Sequence, residues 1–303
     1  MTPPPLLSVI LPSYNNGAIL PATIRRIRST CPKNTEVIIA IDGSSDKTLH
    51  ILSRSSLHRP RTLVIASTVR RGKGAAVRDG VRAAHGRYIA IIDADMAIDP
   101  SYVAQGMTWL QKNPSLDVVI AKRKTYHTSM IRLVIHRAFH WAVFLLFRMP
   151  YHDTQAPMKV FRAPVAKAVF AKLQTRSYAF DIEVLFRTMA QGNNVAELPV
   201  VQRKTPSSLR WNLLLFSTIE LLRMYRTYIA HIAIRLFTKK RRKSTFMDAF
   251  TLRHVIFWPL SWPLLWIVQF LYHFVQKPMC IHKAYLPDYP SKKPMLVLHQ
   301  RTT

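Results

Sequence analysis

The chain has 303 residues, which is long enough for one large α/β domain with an appendage or for two small domains. Its 44 Lys and Arg residues against 15 Asp and Glu residues give a formal net charge of +29. We therefore expect acidic partners: nucleic acid, phosphorylated ligands or an anionic membrane surface. The two cysteines, Cys31 and Cys280, are too few for a disulfide framework and favour a reducing compartment.

The first half of the chain alternates short β-branched runs with helical stretches, which predicts βαβ units and a mostly parallel, Rossmann-like sheet. The amino terminus lacks a basic region before its short apolar stretch, so we expect no signal peptide and a globular part that faces the cytoplasm. Each predicted strand is short and apolar, as expected for strands buried on both faces. The predicted strands are residues 7–11, 37–41, 62–66, 88–92 and 117–121, with helices at residues 19–29 and 75–85.

Polar segments directly follow three of these strands. The segment PSYNN (residues 12–16) follows the first strand, DGSSD (42–46) the second and DAD (93–95) the fourth. In an open parallel sheet, ligands bind beyond the carboxyl ends of the strands. The sequence therefore predicts one ligand site to which all three segments contribute.

The DAD segment is the candidate metal site. Residues alternate sides along a strand, so Asp93 and Asp95, separated by Ala94, are expected to point the same way. Two carboxylates can hold one hard divalent cation, with a diphosphate completing its coordination. The alternative interpretation is a turn in which Asp95 or Asp99 caps the helix that follows Pro100.

Two further groups of residues suit a nucleotide. Asp42 could accept a hydrogen bond from a base N–H, or could form an Asx turn before Gly43. Pro12 and Tyr14 would enclose the base from the other side, although Pro12 could equally serve only to end the first strand. Arg71 and Lys73 lie among glycines that would let a phosphate approach the backbone. The alternative is that they form the solvated, basic start of a helix. The sequence lacks the full phosphate-binding loop of an ATPase.

The second half of the chain predicts attachment to a membrane. Helices with apolar faces and basic stripes are expected at residues 131–148 and 213–237, and the basic run 239–243 follows them. We place the domain boundary there, with a globular domain at residues 1–237 and a basic linker with a hydrophobic tail at residues 238–303. Residues 255–275 carry no formal charge over a length close to the ~20 residues that cross a bilayer. Their prolines and tryptophans suit a re-entrant segment as well as a span.

Taken together, six motifs give the chain a resemblance to family-2 glycosyltransferases of the GT-A fold. It is similar to the branch that contains the dolichyl-phosphate glucosyltransferases and the polyprenyl-phosphate mannose synthases. The resemblance covers residues 8–233. Its motifs are LPSYNNG, AIDGSSDKT, RRGKGAAVRDG, IIDADMAIDP, YHDTQAPMKVF and YAFDIEVLFR.

The resemblance implies a role for each matching residue. Asp93 and Asp95 would hold Mg²⁺ or Mn²⁺, and Asp153, Gln155 and Asp181 would lie at the transfer centre. The expected nucleotide-binding residues are Pro12, Tyr14, Asp42, Arg71, Lys73 and Ala94. Arg123 and Arg137 match family arginines that reach donor or lipid phosphates, and we expect Arg203 and Arg210 to clamp the acceptor phosphate with them.

The implied reaction moves a hexose from a nucleotide sugar, of the UDP-glucose or GDP-mannose type, to a polyprenyl or dolichyl phosphate with inversion. An ionised phosphate acceptor needs no general base, so Asp153 and Asp181 are interpreted as positioning groups unless the acceptor is a hydroxyl. The structural alternatives are that Asp181 only stabilises a helix N-terminus and that Glu183 is an exposed helix residue.

Two other functions stay open at this point. One is a family-2 transferase with a saccharide or other hydroxyl acceptor, acting in cell-envelope glycan synthesis. The other is a non-enzymatic, basic nucleic-acid-binding or scaffold protein, although no recognisable nucleic-acid-binding module is present and no specific nucleic-acid partner is expected. Each of these functions is compatible with a protein that forms an oligomer.

Overall fold

The computed structural model of the protein describes residues 3–54, 61–124, 143–144, 146–147, 149–177, 179–203, 220, 222–225 and 295–298. Their strands form one eight-stranded sheet in the order β7-β5-β6-β4-β1-β2-β3-β8. The strands are β1 (Leu7–Ser13), β2 (Thr35–Asp42), β3 (Thr62–Ser67), β4 (Tyr88–Ile92), β5 (Val118–Arg123), β6 (Met158–Arg162), β7 (Val195–Val200) and β8 (Met295–Leu298). The helices are α1 (Leu20–Thr30), α2 (Thr48–Arg54), α3 (Lys73–Ala83), α4 (Ser101–Lys112), α5 (Ala163–Ala171) and α6 (Phe180–Ala190).

The mostly parallel sheet confirms the predicted α/β fold. Strands β4, β1, β2 and β3 run parallel in neighbouring positions, as do β5 and β7. Strand β6 runs antiparallel between β4 and β5, and β8 runs antiparallel at the edge beside β3. The five predicted strands and two predicted helices are all present, with ends that shift by at most two residues.

Both faces of the sheet are buried, which explains the nearly continuous apolar runs of its strands. On one face, α3, α5 and α6 cover side chains such as Ile10 and Ile38. On the other face, α1 and α4 cover Val9 and Leu11. The alternation of side chains along each strand thus divides the core into two layers.

Several predictions fall on parts of the chain outside the described residues. They are Arg137, Arg210, the basic run 239–243, the segment 255–275 and most of the helices predicted at residues 131–148 and 213–237. The few described residues of those two stretches, 143–144, 146–147, 220 and 222–225, are helical. None of the helices in the described ranges combines the length and the apolar composition that crossing a bilayer requires.

Candidate active site

The segment DAD forms a turn at the carboxyl end of β4. Strand β4 ends at Ile92, and Oδ1 of Asp95 accepts a hydrogen bond of 3.0 Å from the backbone N–H of Ala97. Ala94 is buried, and its carbonyl accepts a hydrogen bond of 2.7 Å from the hydroxyl of Thr23 on α1. This anchor fixes the turn, so the two carboxylates are held on a short loop and not on the strand itself.

The two aspartates of this turn affect each other electrostatically. Desolvation by the surrounding protein, and then the negative charge of Asp93, raise the pKa of Asp95, although the residue is exposed to solvent. Lys73 opposes this effect, since its Nζ lies 2.6 Å from Oδ1 of Asp93. Lys73 and Asp93 thus form an ion pair whose geometry is not that of a hydrogen bond. Oδ1 of Asp93 accepts no hydrogen bond from the described residues. A cluster of negative charge facing a single ammonium group suits a divalent cation.

The alternative interpretation of Asp99 as a helix-capping residue agrees with the structure. Its Oδ1 accepts a hydrogen bond of 2.9 Å from the N–H of Ser101, the first residue of α4. Hydrogen bonds and the guanidinium of Arg26 lower the pKa of Asp99 in spite of partial desolvation. Asp99 thus supports the start of α4, whereas the hydrogen bonds that Asp95 accepts from the described residues stay within the DAD turn.

Asp42 holds the loop that leads into α3. Its carboxylate accepts hydrogen bonds from the N–H groups of Arg71, at 2.6 Å, and Gly72, at 2.8 Å. These partners lie far along the chain, so the Asx-turn alternative is wrong. Burial raises the pKa of Asp42, while the two backbone hydrogen bonds oppose that shift. Asp42 therefore fixes the distance between the end of β2 and the start of α3.

The first two polar segments are joined directly. Oδ1 of Asn15 accepts a hydrogen bond of 2.9 Å from the N–H of Ser45, and the N–H of Asn15 donates to the hydroxyl of Ser44 at 3.0 Å. Asn15 adopts a left-handed backbone conformation with φ of +54°, which an asparagine tolerates better than most residues. Apart from the turn-forming residue types, nothing in the sequence indicates this link.

Pro12 and Tyr14 lie where the nucleotide was expected. Pro12 is buried inside β1, which continues to Ser13, so its interpretation as a mere strand terminator is wrong. The guanidinium of Arg70 stacks over the ring of Tyr14 with 3.9 Å between Cζ and the ring centroid. The positive charge of Arg70 also opposes the raised pKa of Asp42, so the Tyr14–Arg70 contact lies near that carboxylate.

Lys73 and Arg71 differ in their surroundings. Lys73 is the first residue of α3, and its side chain is only 17% exposed, so the alternative of a solvated basic helix start is wrong for this residue. Its ammonium also lies 5.7 Å from the ring centroid of Phe180. The guanidinium of Arg71 forms an ion pair with Asp79 on α3.

Asp153 and Arg123 form a buried ion pair on the other side of the turn. Nε and Nη2 of Arg123 donate to the two carboxylate oxygens of Asp153, at 2.5 and 2.7 Å. Asp153 is 1% exposed, whereas Gln155, two residues later, is half-buried. This two-point contact joins the end of β5 to the loop that precedes β6.

Asp181 is also held by a cation. Oδ1 of Asp181, in the first turn of α6, lies 2.5 Å from Nζ of Lys159 on β6. Lys159 was not predicted as a site residue from the sequence, although a charged residue inside the apolar segment MKVF is a signal. Glu183 is fully buried, so its interpretation as an exposed residue is wrong. Its carboxylate accepts from the N–H groups of Gln174 and Thr175 and from Nε of Arg187.

Arg203 lies beside the loop that follows the DAD turn. Its N–H donates to the carbonyl of Ala97 at 2.8 Å, and its guanidinium contacts Oδ2 of Asp99 at 3.0 Å. The side chain is 62% exposed. Of the four arginines expected at phosphates, the structure therefore places Arg203 near the turn and Arg123 against Asp153, while Arg137 and Arg210 are outside the described residues.

The residues around the turn fit a divalent cation if a ligand shares it. Within the described ranges, no three His, Cys, Asp or Glu side chains come together as a metal site. The protein would thus supply Asp93 and Asp95, and oxygen atoms of a diphosphate would complete the shell. Hard carboxylate oxygens are the donors that Mg²⁺ and Mn²⁺ take.

The mostly parallel sheet, with two aspartates directly after β4, has the arrangement of a GT-A-like fold. The sequence pattern described as Glycosyl transferase family 2 matches residues 8–169, more than half of the chain. The protein belongs to this family and is a glycosyltransferase. Its membership overturns the non-enzymatic alternative.

The chain is similar to relatives of known activity. It is 29% identical over 219 residues to the dolichyl-phosphate β-glucosyltransferase of Mus musculus, covering 66% of this chain and 68% of the relative. It is 32% identical over 200 residues to the corresponding enzyme of Drosophila melanogaster, covering 59% and 61%.

Solved structures agree on the fold. The crystal structure of glucosyl-3-phosphoglycerate synthase from Mycobacterium tuberculosis with Mn²⁺, UDP-glucose and phosphoglyceric acid is 18% identical. It superposes with a TM-score of 0.59 over 72% of this chain and 78% of the other.

Proposed function

We propose that the enzyme transfers a hexose from a nucleotide sugar to a dolichyl or other polyprenyl phosphate at the cytoplasmic face of a membrane. The similarity to two dolichyl-phosphate β-glucosyltransferases supports this acceptor and favours UDP-glucose as the donor. The net charge of +29 suits a lipid phosphate in an anionic bilayer, where each nearby cation contributes about 1 kcal/mol.

The donor would bind along the carboxyl edge of β1, β2 and β4. Tyr14 and Asp42 would contact the nucleoside, and the start of α3 would face the diphosphate because helix N-termini and a lysine both favour anions. Asp93 and Asp95 would hold Mg²⁺ or Mn²⁺, which when bound neutralises negative charge on the leaving diphosphate. Lys73 would stabilise the same charge from the protein side, in a preorganised position.

Two carboxylates at the expected transfer centre are already bound by cationic side chains, and this favours a phosphate over a hydroxyl acceptor. Asp153 is bound at both oxygens by Arg123, and Oδ1 of Asp181 is bound by Lys159. A hydroxyl acceptor needs a base that can take its proton, whereas a phosphate is already ionised near neutral pH. Both aspartates thus suit positioning, and the exposed Arg203 suits contact with an acceptor phosphate.

Product analysis tests this proposal. The full chain in detergent is given labelled UDP-glucose or GDP-mannose with Mg²⁺ or Mn²⁺ and a polyprenyl phosphate. We expect label in an organic-soluble product from which mild acid releases the sugar, and none when the uncharged polyprenol replaces the phosphate. Label found only in an acid-stable glycan would exclude the lipid phosphate and favour a hydroxyl acceptor.

A further inference from the structure

A buried lysine connects the sheet to the first turn of α6. Lys159 on β6 is 1% exposed, and lysines are almost never buried to this degree without a partner. Its Nζ lies 2.5 Å from Oδ1 of Asp181 and donates a second hydrogen bond, of 2.8 Å, to the carbonyl of Ala156. One ammonium group therefore holds both a carboxylate of α6 and the backbone of the loop before β6.

This loop lies directly beside the DAD turn. Met158, the first residue of β6, pairs with Ile92, the last residue of β4, so the chain before Met158 runs next to the chain after Ile92. Ala156 and Ala94 accordingly belong to the same buried cluster. The position of the Ala156 carbonyl thus affects Asp153 and Gln155 on one side and the candidate metal turn on the other.

Stability alone is a poor reason for such a contact. Two charges lose their hydration when they are buried, and well-packed apolar residues in place of a buried ion pair often give equal or greater stability. A hydrophobic pair would, however, leave the Ala156 carbonyl without its ammonium donor. The contact is therefore better explained by the geometry that it imposes than by the energy that it adds.

We propose that Lys159 is a positioning residue for sugar transfer and that Asp181 is its counter-ion and not a base. Lys159 sets the loop of Asp153 and Gln155 against the donor site through the carbonyl of Ala156. Asp181 is 6% exposed and directs Oδ1 at the buried ammonium, so this oxygen faces the protein and not an acceptor. The inference rests on the proposed function only for the identity of the acceptor.

The test separates stability from turnover. Lys159→Met leaves Asp181 buried without its cation, so we expect a lower melting temperature. The double variant Lys159→Met with Asp181→Leu removes both charges, and we expect the melting temperature to return to near that of the wild type. If the contact positions the loop, kcat of the double variant stays roughly 100-fold below wild type, as expected for a misplaced reacting group, while KM for the donor changes little.

Lys167→Met is the matched control. Lys167 on α5 also donates to backbone carbonyls, those of Val81 and Ala84 at the end of α3, on a part of the fold away from the turn. We expect this variant to lose stability and to keep kcat. Recovery of kcat together with melting temperature in the double variant would overturn the inference.

A second variant covers the case in which the double variant does not fold. Lys159→Arg keeps the charge for Asp181 but replaces a point charge with a planar fork, so the geometry at Ala156 changes. We expect it to fold, to bind the donor in a thermal-shift assay and to lose kcat. Wild-type kcat in this variant would contradict the positioning role. All variants are assayed with the acceptor that wild type uses. An error in the proposed acceptor therefore shows in the product analysis and does not affect the comparison of variants.

Discussion

Individual carboxylates around the site differ in how much of their bonding capacity the protein uses. Asp42 accepts two backbone hydrogen bonds, and both oxygens of Asp153 are bound by one guanidinium. Asp95, in contrast, accepts hydrogen bonds from the described residues only within its own turn, and it stays exposed to solvent. Carboxylates with lone pairs left over are the ones that can coordinate a cation, so Asp95 is the residue whose replacement is most informative.

At this scale we predict that Asp95→Asn abolishes transfer and leaves the fold intact. Asparagine keeps the shape and the acceptor oxygen for Ala97 but removes the negative charge that a divalent cation needs. We expect a loss of about 10²–10³-fold or more in kcat, comparable to removal of one preorganised electrostatic group. Circular dichroism and turnover, with Mn²⁺ titrated in the presence of UDP-glucose, provide the measurement.

Asp117→Asn is the control for this substitution. Asp117 also accepts a backbone hydrogen bond, of 2.9 Å from Asn194, but it precedes β5 at the other end of the strands. We expect its turnover to equal that of wild type. Normal turnover in Asp95→Asn would show that this carboxylate is not a required metal ligand.

Among the elements, helix α3 depends most on its entry. Gly72 precedes its first residue with φ of +101° and ψ of 153°, a backbone region that is essentially restricted to glycine. A Cβ at Gly72 would clash with the carbonyl oxygen of Arg176, which also accepts the N–H of Gly74 at 2.8 Å. The start of α3 is thus fixed from two sides, and Lys73 with it.

We predict that Gly72→Ala destabilises the protein and weakens donor binding. The backbone conformation costs about 1–3 kcal/mol for alanine, and the contact with Arg176 adds to this cost. Since Lys73 follows directly, a shifted helix start also moves its ammonium away from Asp93. Chemical denaturation and thermal shift with UDP-glucose measure the two effects.

Gly192→Ala separates the effect of backbone strain from the effect of the contact with Arg176. Gly192 has φ of +77°, but a Cβ at this position would have no atom within 4 Å, so alanine there meets only backbone strain, about 1–2 kcal/mol. We expect it to lose stability without any change in donor affinity. Equal effects of both substitutions on donor binding would contradict a specific role for the entry to α3.

The elements also show why part of the fold was predictable from sequence. Strands β1 to β5 have local signals, because each apolar run is bounded by helical or polar segments. Strand β6 inserts antiparallel between β4 and β5, and that pairing depends on contacts distant in sequence. The position of the DAD segment directly after β4 was predictable because an apolar run ends there, whereas the burial of Lys159 and Glu183 depends on how α6 packs against the sheet.

In the whole molecule, positively charged residues far outnumber the carboxylates that could pair with them. If every one of the 15 Asp and Glu residues paired with a different cation, 29 of the 44 Lys and Arg residues would still lack a carboxylate partner. Repulsion among like charges destabilises a compact state, and salt screens it over a distance of about 10 Å at 0.1 M. We infer that net repulsion, and not loss of ion pairing, governs the response to ionic strength.

The melting temperature is therefore predicted to rise as sodium chloride increases. A gain of about 1 kcal/mol corresponds to roughly 2–4 °C for a domain of this size. Chloride is preferred to phosphate or sulfate because those anions resemble the proposed ligands. A fall in melting temperature over the same range would mean that ion pairs such as Arg123–Asp153 dominate the electrostatic energy.

The pairing of β8 with β3 brings distant parts of the chain into one sheet. Met295–Leu298 pairs antiparallel with residues 64–67, roughly 230 positions earlier in the sequence. Closing so long a loop costs conformational entropy before the pairing can stabilise it, so we expect this edge of the sheet to form late in folding.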